Sequence, residues 1–512
     1  MFHPRLKLFL WWFIPLILFL ALAFDGNTHW DETNYLNKGA FAPFNLSANW
    51  VHYSGGFYNG RMFHIFVLHS LFAVLGVGIV SLFIVQAVMA FCVLGAGVLF
   101  FRTLKEMALP PSLPYLSSIV FLFLPLALYL AYKGLAETTA ILLTALALFL
   151  FFRGIKKEDM SGVVMLIFSA GALFLATNSR VECLLTFSTL VIPYICFQSG
   201  RRLTAIRGLL WVGLMWVVLT VILGFITGIW SLEFMLRRSE VYGAKFAADS
   251  MDYPPNYIVA VLFGGGFWFF ALLSLFDWRR TEVKIAWGGL LISMVPIALL
   301  ADHTELRYYN PAIFSFALVS AIGIKYFYDW LKRKQALVKA RAFILCLFCL
   351  LVAGNQLIRP FQEIGSEELP LIRMMHGLHA DYDDPLIIMA HPHSTYAFAR
   401  LCFPDSRIAL DRDFEKTAPL MILDADTLAE QKGPIFYISP CGDKEKPLLI
   451  KLLNRFRGGG GKDQRKGGIP QDSWVTRSGD LKLVELGRAE RYILYSVCLQ
   501  DGKAAPGGGA LE

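Results

Sequence analysis

Residues 8–24 read "LFLWWFIPLILFLALAF", and residues 25–39 continue "DGNTHWDETNYLNKG". The first run carries no charge and is long enough, as a helix, to cross most of about 30 Å of hydrocarbon. Directly after it stand Asp31 and Glu32, with His29, Trp30 and Tyr35 close by. Carboxylates at the edge of a hydrocarbon layer are costly to place and usually mark a pathway or a site.

The rest of the chain agrees with a lipid solvent. Of 512 residues 56% are hydrophobic and 17% charged, and Phe alone occurs 43 times. Soluble domains carry about 25% charged residues. The formal net charge of +8 does not indicate a nucleic-acid partner. Most Lys and Arg before residue 360 sit in short loops between apolar runs, the usual topology signal of membrane proteins.

Eleven candidate spans follow, near 8–24, 78–100, 113–131, 134–152, 162–178, 183–199, 208–229, 258–276, 285–301, 310–328 and 342–358. The stretch 62–76, interrupted by His64 and His69, reads instead as a helix lying at the interface. One set of loops, including Arg102, Lys105, Arg153, Lys156, Arg201 and Arg202, holds more than twice as many Lys and Arg as the other. That set is therefore cytoplasmic, which places the N-terminus inside and the C-terminal region outside. The first span also reads as a signal peptide, because "ALA" at 21–23 resembles a cleavage site, although its length favours a retained anchor. Cys92, Cys183, Cys196, Cys346 and Cys349 lie in apolar runs and read as small core residues.

After residue 358 the pattern changes. "DPLIIMA", "SRIALD", "GPIFYIS", "LKLVEL" and "RYILYSV" are short apolar runs bounded by Asp, Gly, Pro and Ser. They read as strands of a small extracytoplasmic α/β domain over 359–512, following a transmembrane domain over 1–358. In an oxidising compartment Cys402, Cys441 and Cys498 can supply one disulfide. The stretch 457–468, "RGGGGKDQRKGG", reads as a flexible loop.

The expected outer loops collect chemistry. The first holds Asp31, Glu32, Tyr35, Tyr53, Tyr58 and Arg61; the later ones hold Lys133 with Glu137, Arg180 with Glu182, and "ADHTELRYYNP" with His303, Arg307, Tyr308 and Tyr309. Single charges such as Lys38 or Asp249 are read as solvated. Glu137 opens the apolar run "TTAILLTALALFLFF", where the helix dipole favours a carboxylate whether or not it reacts. Interface anchoring accounts for the two Tyr after Arg307. It does not account for Arg307 and His303 themselves, whereas an anionic partner such as a phosphate does.

Four stretches together resemble one family. "WDETNYLNKG" is similar to an Asp-Glu-x-x-Tyr motif in a first outer loop, and "YNGRMFHIFVLHSLFAVLG" to a Tyr and a basic residue ahead of an interfacial helix. "KGLAETTAILLTALALFLFFR" resembles the acidic start of a fourth span, and "HTELRYYNPAIFSFALVSAIG" an Arg-Tyr-x-x-Pro span entry. The family is that of the GT-C-fold membrane glycosyltransferases that use polyprenyl-phosphate sugars, the protein O-mannosyltransferases and aminoarabinose transferases. The resemblance covers roughly residues 1–330; "GRMF" stands where the family often has Lys and two Pro.

The resemblance implies a polytopic α-helical membrane protein with about 11 transmembrane helices and a catalytic face outside the cytoplasm. It implies Asp31 as principal catalytic carboxylate, Glu32 assisting it and Glu137 as a further carboxylate in the cavity. Arg61 and Arg307, with Tyr58, Tyr308 and His303, would hold the donor phosphate. Expected partners are a polyprenyl-phosphate-linked sugar, a lipid, glycan or protein acceptor, and membrane lipid, at the periplasmic face of an inner membrane. Adjacent carboxylates also suit Mg²⁺ or Mn²⁺ at Asp31 and Glu32, while Arg can neutralise a phosphate without a metal. Sugar departure builds positive charge on the ring and negative charge on the leaving group, and carboxylates and guanidiniums stabilise the two. A single displacement inverts the anomeric centre. A transporter or flippase of a lipid-linked substrate is the alternative, but no internal repeat or midspan charge supports it.

Overall fold

The computed structural model describes residues 35–36, 39–41, 61–131, 135–157, 159–227, 263–300, 306–333, 368–389, 399–410, 434–440, 481–489 and 492–499. The expected spans 8–24 and 342–358, the loop 457–468, and Cys346, Cys349 and Cys441 lie outside these residues. The chain divides into two compact units, one of Met1–Phe24, Ala42–Leu71 and Ile84–Gln362, the other of Asp25–Phe41, Phe72–Phe83 and Glu363–Glu512.

The helices run α1 Met62–Leu75, α2 Ile79–Glu106, α3 Ser112–Phe123, α4 Pro125–Ala131, α5 Ala136–Gly154, α6 Met160–Thr177, α7 Cys183–Phe197, α8 Arg202–Thr227, α9 Phe267–Leu273, α10 Thr281–Leu300, α11 Ile313–Arg333 and α12 Glu368–Asp381. Among the described residues five helices, α2, α5, α6, α8 and the Arg307–Arg333 segment, are long and apolar enough to cross a membrane, and a sixth crossing arises if the bent pair α3–α4 counts as one. The chain is a multi-pass membrane protein. Each of the nine expected spans within the described residues meets a helix, yet three are not the single rods expected.

The run 113–131 breaks by 63° between α3 and α4. Leu124, held at ψ 139° ahead of Pro125, explains the break, because a residue before proline is driven out of the helical region. The run 258–276 is interrupted at Gly265–Gly266, where Gly265 takes φ +50°, and continues as α9 and a 3₁₀ turn, Ser274–Asp277. The run 183–199 keeps its helix through Pro193 but yields only 15 helical residues.

Burial separates centre from rim. The best apolar window of α5 and of the Arg307–Arg333 segment is 72% buried, that of α8 only 11%. Leu210, Trp211, Leu214 and Phe225 of α8 are exposed, as suits side chains that face lipid. Polar groups inside the first unit bridge helices: Ser118 Oγ donates to Gly97 O at 2.9 Å, Ser169 Oγ to Ala147 O at 2.8 Å, and Trp216 Nε1 to Thr177 Oγ1 at 3.0 Å. Such bonds and small residues hold helices together where no hydrophobic drive separates lipid from protein. Gly323 on α11 shows the second device, since a Cβ there would run into the Phe270 carbonyl of α9. Phe314 of α11 packs on Phe100 and Phe121, with ring centroids 4.8 and 5.4 Å away.

In the second unit, β1 Leu386–Met389, β2 Arg407–Leu410, β3 Ile435–Pro440, β4 Leu481–Ala489 and β5 Tyr492–Leu499 form one sheet of order β2-β1-β3-β5-β4. β1 pairs parallel with β2 and β3; β5 pairs antiparallel with β3 and β4. Each of the five runs read as a strand contains one. Leu371, Met375 and Leu378 of α12 recur at helical spacing and bury against Ile387, Met389, Phe436 and Ile438, alternate residues of two strands.

His379 of α12 stacks on Phe403, 5.7 Å between ring centroids, with Nε2 2.8 Å from Ser406 Oγ. Burial, reinforced by His376 and opposed by Asp384, lowers its pKa below the ordinary 6.5. The unfolded chain then takes up this proton first as pH falls, so stability declines from 6.5 downward to the lowered folded value and is level below it. Protection of the sheet from proteolysis should therefore weaken between about pH 7.5 and 5, and His379→Gln should flatten that dependence. In the first unit, Gly323→Ala should cost about 1–3 kcal/mol in detergent melting experiments. Gly171→Ala on α6, where a Cβ meets nothing within 4 Å, should move stability by less than about 0.5 kcal/mol.

Candidate functional site

Helices that alternate in direction bring their ends together. The start of α5, the end of α6, the start of α7 and the entry to α11 all lie at one end of the first unit, and four charged side chains meet there. Glu137 sits in the first turn of α5, whose N-cap, Leu135, supplies no side-chain hydrogen bond. The free N–H groups and dipole of that turn favour its carboxylate. Its Oε1 accepts from Arg180 Nη2 and lies 3.9 Å from Arg307 Nε.

Arg180 comes from the turn between α6 and α7. That turn is held by its backbone: Arg180 N donates to Ala176 O at 2.7 Å, and Cys183 N to Arg180 O at 3.1 Å. Glu182 Oε2 stands 3.8 Å from Arg180 Nε. Arg307 comes from a 3₁₀ turn, Leu306–Ala312, that leads into α11, and its guanidinium lies 5.5 Å from the Tyr308 ring centroid. Arg61 opens α1, and the next backbone tie, Phe63 N to Asn178 O at 3.2 Å, pins α1 to the turn that carries Arg180. Arg61, Glu137, Arg180 and Arg307 are each at most 5% exposed. Among the described residues the ion group holds two buried guanidiniums, Arg180 and Arg307, the buried carboxylate of Glu137 and the half-buried Glu182.

His64 supports the same corner. Its Nδ1 is 3.1 Å from Thr139 Oγ1, one helical turn above the α5 start. The Thr139 hydroxyl also lies within hydrogen-bond reach of Ala136 O, at 3.1 Å, so the contact ties His64 to the first turn of α5.

Of the residues read from sequence, Glu137 and Arg307 come together, and Arg61 and Tyr308 sit in the same unit. Asp31, Glu32, Tyr58 and His303 lie outside the described residues. Arg180 stands in the sequence as one outer-loop charge among several, yet its guanidinium donates to Glu137 Oε1. Its signal was a cation directly at a span entry in a loop set poor in cations. Tyr309 departs from its interface-anchor reading: it is 1% exposed and stacks on Phe263 at 5.5 Å between ring centroids. No group of three or more His, Cys, Asp or Glu side chains forms a metal cluster among the described residues.

Among solved structures, the chain is similar to ArnT, an aminoarabinose transferase, from Cupriavidus metallidurans in the apo state, at TM-score 0.55 and 12% identity over 99% of both chains. This is the GT-C fold. Weaker likenesses run to the archaeal oligosaccharyltransferase AglB from Archaeoglobus fulgidus. With an inhibitory peptide and a dolichol-phosphate it gives TM-score 0.44 and 11% identity over 83% of this chain and 69% of that one. In its apo form it gives TM-score 0.44 over 85% and 69%. No protein-family model and no curated protein sequence matches the chain. The GT-C assignment rests on the ArnT likeness.

Removing one member of a buried ion group leaves the others uncompensated, which costs about 3–5 kcal/mol. Glu137→Gln should therefore lower the melting temperature in detergent markedly. Because the two groups act together, adding Arg180→Gln should cost much less than the sum of the single changes. Additive losses would show that Glu137 and Arg180 do not share one network.

Proposed function

We propose that the chain is an integral-membrane glycosyltransferase that moves a sugar from a polyprenyl-phosphate donor to a lipid, glycan or protein acceptor. The observation that carries this reading is the buried meeting of Arg180, Arg307 and Glu137 at one end of a GT-C bundle. Guanidiniums are planar donors suited to phosphate oxygens, and their binding energy rises in a dry site. A lipid-linked phosphate is a ligand that reaches such a place from the bilayer. The known ArnT activity, aminoarabinose transfer, and the dolichol-phosphate bound to AglB are consistent with this ligand class.

In this reading Arg61, Arg180 and Arg307 hold the phosphate, with Tyr58, Tyr308 and His303 around it. Glu137, held through Oε1, orients two of those guanidiniums. Asp31 takes the proton of the acceptor hydroxyl as that oxygen attacks the anomeric carbon, and the bond to the phosphate oxygen breaks with inversion. Glu32 orients Asp31 or shares a divalent cation with it. The working face is extracytoplasmic in an inner membrane, with the N-terminus cytoplasmic and the 359–512 region outside. A flippase of the same lipid would use the same guanidiniums without any sugar transfer.

Purified protein incubated with radiolabelled polyprenyl-phosphate sugars and a membrane extract, with and without chelator, should transfer label. Asp31→Asn should cut turnover by at least about 100-fold while the protein still binds donor. Label that crosses vesicle membranes without being transferred would identify a transporter. Equal turnover in Asp31→Asn would remove the proposed base.

A further inference from the structure

Asp25–Phe41 follows the first apolar run of the chain, yet it belongs to the same compact unit as Glu363–Glu512. One contact joins these distant segments through a specific chemistry. The Arg400 guanidinium lies over the Phe41 ring, 4.4 Å from its centroid. The ring quadrupole attracts a planar cation placed there, more strongly where water is partly excluded. Both side chains are half-buried. Each side of the contact is anchored. Ala399, next to Arg400, is 1% exposed and joins the core of Leu371, Met375, Ile387 and Phe436, against which Phe403 also packs. On the other side, residues 35–36 and 39–41 are helical, and Tyr35 and Leu36 are buried. Asp31 stands four positions before Tyr35 in the sequence, so chain length alone keeps it within about 14 Å of that residue.

The geometry points to Arg400 as a positioning residue: by clamping Phe41, it lets the C-terminal region set the first outer loop and with it Asp31. The inference rests on the glycosyltransferase reading for the role of Asp31, and it gives the 359–512 region a task in that reaction. A general base acts only within hydrogen-bond reach of the proton it takes, and small misplacements of reacting groups are costly. A loop left free must lose conformational entropy each time it orders. Holding Phe41 on a post seated in the sheet core removes that freedom before the acceptor arrives. Arg400 itself touches no reacting group in this account. Arg61, Arg180 and Arg307 belong to the other unit, so the clamp bears on turnover and leaves the proposed phosphate ligands alone.

The test uses the full chain in detergent. Arg400→Gln removes the cation and Phe41→Leu the ring face, whereas Arg400→Lys and Phe41→Trp keep the attraction. Amide exchange over residues 35–41 should rise about 2- to 30-fold in Arg400→Gln and stay unchanged in β1 and β3. With a polyprenyl-phosphate sugar as donor, the same variant should lower kcat by about 10-fold or more, with donor KM within about 2-fold of the wild type. Phe41→Leu should match it, and the double variant should lose little beyond the worse single one. Arg400→Lys and Phe41→Trp should retain most of the wild-type kcat. Unchanged exchange over 35–41 in Arg400→Gln would overturn the clamp. Raised exchange at an unchanged kcat, or a loss that Arg400→Lys shares in full, would overturn the positioning role. No transfer by the wild type from any donor would overturn the glycosyltransferase reading and the Asp31 step with it, while raised exchange would still establish the clamp.

Discussion

One carboxylate organises the described part of the site. Glu137 sits where a helix start already favours negative charge, and it draws guanidiniums from two segments distant in sequence. Arg180 arrives from the α6–α7 turn and Arg307 from the approach to α11. Without that carboxylate, two charges buried in a low-dielectric end of the bundle would repel each other. With it, both face one buried anion. Breaking such a group is far more costly than never forming it.

The bundle makes this arrangement possible. α5 and α11 are its most enclosed long helices, and α5 supplies Glu137 while α11 extends the turn that supplies Arg307. Rigid helix packing, through Gly323 against Phe270 and the Phe314 cluster, fixes the height of Arg307 against the α5 start. The Phe63–Asn178 backbone bond and the His64–Thr139 contact then tie the start of α1 to the same corner. Arg61 is placed by that tie, so the charges share one frame of hydrogen-bonded helix ends. The sheet of the second unit stands on separate physics, an α12 stripe laid across alternating strand residues.

Much of this is legible in the sequence. Apolar runs named the helices, and five bounded apolar runs named the five strands. Breaks within runs are harder to see: Pro125 forces its predecessor out of helix, and Gly265–Gly266 break a run whose composition looks continuous. Hydropathy averages over such points. At the site, Glu137 and Arg307 were visible because charges are rare at span entries. The importance of Arg180 was not, because only the fold shows that residues 43 positions apart share an ion pair. Tyr309 was read as an interface anchor for the same reason: a Tyr at a span entry looks alike whether it faces headgroups or stacks on Phe263.

Binding of a short-chain polyprenyl phosphate without any sugar probes the central claim most directly. Titrated into detergent-solubilised protein, it should bind the wild type and lose about 10-fold or more in affinity with either Arg180→Gln or Arg307→Gln. The double variant should lose little beyond the worse single one, since both act in one Glu137-centred group. Unchanged affinity in the double variant would contradict the account, because the buried guanidiniums would then serve the fold alone.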